Sequence, residues 1–167
     1  MNDSHRRSIR LPSYDYRSSG AYFVTLCTHH MACLFGQIND GAFQPNPYGR
    51  IVEEEWLRTA VVRVKVELDA YVVMPDHLHG ILVLQDGTET GLDPCPAVFG
   101  HSVTTKRINR MRRTPGETVW QRNYYERVVR TEDELNLIRH YIGRNPSNWG
   151  AGRGTAPPCP YTPRRLP

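Results

Sequence analysis

Two strand-forming runs separated by only two residues constrain this chain more than any other feature. Val64, Val66 and Leu68 alternate with Lys65 and Glu67 and lead into Ala70–Met74. After Pro75 and Asp76, the residues from His77 to Leu84 are again largely apolar. Proline cannot continue a ladder, and Pro-Asp initiates tight turns, so the second run returns beside the first as its hairpin partner. A connection this short permits only an antiparallel pair.

The remaining elements build on that hairpin. Ala21–Thr28, aromatic and β-branched, reads as a strand. Gly49–Ala60 carries Val52, Trp56 and Ala60 at helical spacing, with acidic residues in its first turns. A basic helix is expected over Thr104–Arg113 and a short strand over Val119–Tyr125. Thr131 and Glu134 have the spacing of a capping box ahead of a helix whose buried stripe is Leu135, Ile138 and Ile142. Pro146 disfavours helical geometry at the residue before it, which predicts an end near Arg144–Asn145. The expectation is an α+β domain over residues 20–149, an antiparallel sheet with helices on one side. Residues 1–19 read as an N-terminal arm, Gly87–Pro96 as a loop and residues 150–167 as a flexible basic tail.

A chain of 167 residues with 39% hydrophobic content can build one core without cross-links. No apolar run approaches a membrane span, and the polar, basic first ten residues resemble no secretory signal. The cysteines Cys27, Cys33, Cys95 and Cys159 form no C-x-x-C pair, which fits a reducing compartment, so a cytoplasmic location is expected. The net charge of +4 leans toward polyanionic partners. Lys106, Arg107, Arg110, Arg112 and Arg113 crowd one short stretch, followed by Arg122. Such a run fits either a phosphate-binding surface or a solvated helix face.

Two sets of residues carry candidate chemistry. His77 and His79 flank Leu78 at the start of a strand, so both imidazoles leave the same face and can grip one metal ion; a surface histidine beside one satisfied by the turn is the alternative. Tyr141 and Asn145 are four apart on the last helix and share a face. The Asn145 carboxamide offers a third ligand, and Tyr141 is then placed as a nucleophile toward a phosphodiester, although a tyrosine on such a helix also serves as a boundary residue. A free phenol ionises near pH 10, so this chemistry needs a neighbouring cation. Tyr124 can stack on an unpaired base or pack in the core. His29 and His30 with Cys27 and Cys33 lack the pattern of a complete zinc site.

The segments Tyr71–Gly80, Val119–Arg127 and Ile138–Pro146 resemble those of REP-associated tyrosine transposases, members of the single-tyrosine HUH transposases in which two histidines flank a bulky hydrophobic residue. Ile9–Tyr16, Gly20–Thr28 and Leu34–Gly36 match as well, so the resemblance spans roughly residues 10–149. It implies a ferredoxin-like antiparallel sheet with flanking helices. His77 and His79 match the metal-binding pair, Asn145 the amide ligand and Tyr141 the nucleophile that becomes covalently joined to DNA. The implied cofactor is Mg²⁺ or Mn²⁺. The implied partner is a DNA hairpin with adjoining single strand, bound by a monomer or homodimer, with Lys106, Arg107, Arg110, Arg112, Arg113, Arg122 and Tyr124 as candidate DNA contacts. Asp93–His101 stands where relatives carry a longer helical stretch, and Met31 where they often carry arginine. A second reading is therefore a hairpin-binding protein with weak or no catalysis.

Overall fold

The computed structural model describes residues 19–85, 100–122 and 124–150. The expected arm, most of the tail and the loop at Gly87–Pro96 lie outside the described residues. In chain order the elements are β1 (Gly20–Cys27), β2 (Gly36–Asn39), β3 (Ala42–Pro45), α1 (Pro47–Val62), β4 (Val66–Val73), β5 (His77–Leu84), α2 (His101–Arg112), β6 (Tyr125–Val129) and α3 (Glu132–Asn148). The main sheet runs β4-β5-β1-β6 with every neighbouring pair antiparallel. Setting the small β2–β3 hairpin aside, the order is β-α-β-β-α-β followed by α3, the α+β, ferredoxin-like arrangement expected. The Pro75-Asp76 hairpin forms as read, closed by the Met74 N–H donating to the His77 carbonyl at 2.8 Å.

The helices do not lie on one side. Tyr22, Val24 and Leu26 of β1 and Leu78 and Leu82 of β5 meet Trp56 of α1 and Ile108 of α2 in one apolar cluster. Phe23 and Ile81, from the same two strands, meet Ile138 and Ile142 of α3 in another. Successive strand residues point to opposite faces, so α1 and α2 cover one face and α3 the other. This burial on both sides accounts for the unbroken apolar runs in the central strands, and it places α3 against the face that carries the odd-numbered residues of β5.

Several boundaries differ from expectation. α1 starts two residues early because Asn46 caps it, its side-chain oxygen accepting from the Tyr48 and Gly49 N–H groups with Pro47 at the first position. The acidic residues Glu53–Glu55 consequently fall beyond the first turn. α2 starts at His101 and buries Thr104, Ile108 and Asn109. Among the described residues of the expected strand at Val119–Tyr125, Trp120 makes an isolated bridge to Thr28 and Tyr125 opens the ladder of β6. β4 begins at Val66, leaving Val64 90% exposed. A register shift between Leu68 and Tyr71 inserts an extra residue in β4, and Asp69 reaches the Arg139 guanidinium of α3 at 2.6 Å. α3 continues through Pro146 to Asn148. Its last turn is held by tertiary contacts: Asn145 is buried, Trp149 lies against His77, and Ser147 faces the tip of the β2–β3 hairpin at Gly41. These contacts outweigh the local preference set by the proline. That hairpin was not anticipated, although Asp40 and Gly41 both take positive φ, as a two-residue turn of this kind requires.

Gly80 fixes how closely α1 approaches the sheet. A Cβ there would lie 2.2 Å from the Trp56 ring. Gly80→Ala should destabilise the fold by about 1–3 kcal/mol through overpacking, read as a lowered urea midpoint. Trp56→Phe in the same chain should recover part of that loss. An unshifted midpoint in Gly80→Ala would mean that the ring has room to move.

Candidate active site

His77 and His79 are both fully buried at the start of β5, on the face toward α3, with ring centroids 4.4 Å apart. Each has its Nδ1 engaged by a neighbour. The Asp76 carboxylate oxygen Oδ1 lies 2.6 Å from His77 Nδ1, and the Thr25 hydroxyl lies 2.8 Å from His79 Nδ1. Thr25 is placed there by the ladder, which sets it directly opposite His79. Phe23 stacks on His79 at 5.4 Å and closes that side.

Helix α3 supplies the facing wall. The Tyr141 hydroxyl lies 3.2 Å from His79 Nε2. Two turns on, the Trp149 ring lies 6.1 Å from that of His77. Asn145, four residues on from Tyr141 and so on the same face of α3, is buried. The structure thus brings together His77, His79 and Tyr141, and buries Asn145 on the face of α3 that carries Tyr141. Tyr141 remains half-buried, packed against the α3-side cluster and edge-on to Phe23.

Burial, with a smaller contribution from His77, holds the His79 imidazole well below its ordinary pKa, so it is neutral. If His79 Nδ1–H donates to Thr25, Nε2 is left to accept from Tyr141, and this tautomer satisfies both contacts. His77 Nε2 and both ends of the Asn145 amide are buried without a hydrogen-bond partner among the described residues. An unpaired buried polar group costs about 1–3 kcal/mol, so these three atoms are candidates for ligation. Two imidazoles and a carboxamide oxygen are a donor set that suits a divalent cation of intermediate hardness. No group of three His, Cys, Asp or Glu side chains converges among the described residues. This also leaves His29, His30, Cys27 and Cys33 without a metal cluster. Burial, with Asp76 nearby, pushes the Cys27 thiol up to about 11, far from a reactive thiolate.

The basic residues lie elsewhere. Helix α2 packs with α1, so the sheet separates it from His79 and Tyr141. Arg107 is tied to Glu54 and to the buried Glu55 at 2.6 and 2.7 Å, and Arg112 bonds to Asn109 at 2.9 Å. Lys106, Arg110 and Arg113 are exposed, without an ion pair among the described residues, and line a concavity of about 480 Å³ with Asn109, Pro115 and Gly116. Arg122 is exposed. Tyr124 packs, half-buried, against the α1/α2-side cluster, while Tyr125 packs on the α3 side, directly opposite Thr25 in the ladder. Of the two adjacent tyrosines, Tyr125 is thus the one on the face of the histidines. Thr25 and Asp76 are the supporting residues that motif reading missed. Asp76 had an audible signal, standing next to His77, but the turn accounted for it.

No family model matches the chain. An uncharacterized protein of Haemophilus influenzae is 36% identical, covering 87% of this chain and 90% of that protein. Among solved structures, a REP-associated tyrosine transposase bound to a REP hairpin superposes with a TM-score of 0.57 at 19% identity, covering 84% of this chain and 74% of that one. At that identity the likeness establishes the fold. No helix among the described residues is long and apolar enough to cross a membrane.

Proposed function

We propose, from the premise that this chain belongs to the family of the Haemophilus influenzae protein and folds like the hairpin-bound tyrosine transposase, that it cleaves and rejoins single-stranded DNA beside a hairpin through a covalent tyrosine intermediate. One observation carries the reading. The Tyr141 hydroxyl meets His79, whose ring neighbours that of His77, and both His77 Nε2 and the amide of Asn145, one helical turn on from Tyr141, are buried with no partner among the described residues.

The chemistry follows from the placement of these groups. The Tyr141 oxygen attacks the scissile phosphorus and loses its proton. A phosphotyrosine bond to the 5′ side forms as the bond to the 3′ oxygen breaks, and that oxygen takes up a proton to become a free hydroxyl. Rejoining reverses the exchange, so the energy of the broken bond is retained and no nucleotide cofactor is needed. His77, His79 and Asn145 would hold the divalent ion, Mg²⁺ or Mn²⁺. When bound, that ion supplies charge neutralisation at the phosphate. Phe23 and the packed side of α3 limit water around the tyrosine. The exposed cations Lys106, Arg110 and Arg113, on the far side of the sheet from the tyrosine, are with the exposed Arg122 the DNA contacts best placed to be free for phosphate. Arg107 and Arg112 are already engaged within the chain.

Two experiments follow. Wild-type protein incubated with labelled hairpin-tailed single-stranded DNA and Mn²⁺ should give a covalent adduct that maps to Tyr141. Tyr141→Phe, which keeps the ring and removes the hydroxyl, should give none. An adduct in the Phe variant would refute the nucleophile assignment. Binding without any adduct in wild type would leave the hairpin-binding reading. Replacing Lys106, Arg110 and Arg113 with glutamine should reduce the slope of log affinity against log salt by about 0.7–0.9 per lost phosphate contact. A slope unchanged in the triple variant would make that surface a solvated face.

A further inference from the structure

We propose that Asp76 is a positioning residue of the metal centre, with Thr25 as its counterpart, the two holding Nδ1 of His77 and of His79 so that both Nε2 atoms serve one cation. The proposal rests on the reading of the site given above and adds two residues to it, neither of which touches the substrate or the ion.

The geometry around Asp76 is over-determined. Its main-chain carbonyl accepts the Thr28 N–H at 2.8 Å and the Thr28 hydroxyl at 3.0 Å. The preceding carbonyl, of Pro75, accepts the Phe35 N–H at 2.9 Å. The turn is thus pinned from outside the hairpin, which sets the Asp76 Cα where its carboxylate reaches His77 Nδ1 at 2.6 Å. Asp76 and His77 are both 0% exposed, and the second carboxylate oxygen has no hydrogen-bond partner among the described residues. A buried carboxylate with one bare oxygen is expensive unless a positive charge lies near it. A cation on the far nitrogen of the His77 imidazole offsets the charge through the ring, and the hydrogen bond in turn makes Nε2 a better ligand. Thr25 performs the neutral version of the same task for His79. It is buried, opposite His79 in the ladder, and 2.8 Å from its Nδ1. The pair therefore divides into one imidazole backed by a charge and one backed by a hydroxyl.

A purely structural ion pair between Asp76 and a protonated His77 is the competing account, and the two make opposite predictions for Asp76→Asn. The asparagine keeps an oxygen for Nδ1–H and removes the charge. Calorimetric titration of the full-length protein with Mn²⁺ should show affinity falling about 10- to 100-fold, while the thermal midpoint of the metal-free variant is no lower than that of wild type. Thr25→Val should lose affinity in the same range, and Thr25→Ser should retain it. A lowered thermal midpoint with wild-type Mn²⁺ affinity in Asp76→Asn would overturn the proposal and leave the metal reading standing. Wild-type protein that binds no Mn²⁺ would overturn both.

Discussion

The whole arrangement depends on one strand being buried on both faces. In β5 the side chains alternate between layers, and each layer makes a different demand. Leu78 and Leu82 enter the α1/α2 cluster, and Gly80 lies flat beneath Trp56. His77 and His79 turn to α3, with Ile81 closing that side. The aliphatic residues set the depth and register of the strand, and the histidines inherit their position from that register. A one-residue slip would exchange the two sets and place both imidazoles in the apolar layer.

That dependence explains what could be read from the residues alone. The histidine pair, Tyr141 and Asn145 were legible because each pair lies on a single element and obeys its period, two for the strand and four for the helix. The turn at Pro75-Asp76 was legible through local chemistry. What crossed between elements was not. Thr25 meets His79 through the β1–β5 register, and Trp149 meets His77 through the path of α3. The same limit explains the assignment of the arginines. A run of positive charge on one helix carries no information about Glu54 and Glu55 on another, yet these pair with Arg107. The helical passage through Pro146 was hidden likewise, since it depends on Ser147 and Trp149 finding tertiary partners. The Asp40-Gly41 turn, by contrast, has a local signature, since both residues take the positive φ of a two-residue hairpin turn.

The layering also shapes the proposed reaction. The free cations of α2 and the tyrosine of α3 lie on opposite sides of the sheet, so DNA bound at both must pass around an edge of it. On the proposed reading, electrostatic attraction and chemistry are in this way separated: one surface gathers phosphates, while the other holds buried imidazoles flanked by the rings of Phe23, Tyr141 and Trp149. Between them, α3 is tied to β4 by Arg139–Asp69 and to β6 by Arg127–Glu134, which limits its movement relative to the histidines.

The central claim is that β5 and α3 meet to hold one cation beside Tyr141. Anomalous diffraction from crystals of the protein soaked in Mn²⁺ tests it most directly. The account predicts a single strong peak bonded by His77 Nε2, His79 Nε2 and the Asn145 amide oxygen. A peak on His29 and His30 with none between β5 and α3, or no peak in a crystal whose histidine pocket is open to solvent, would contradict it.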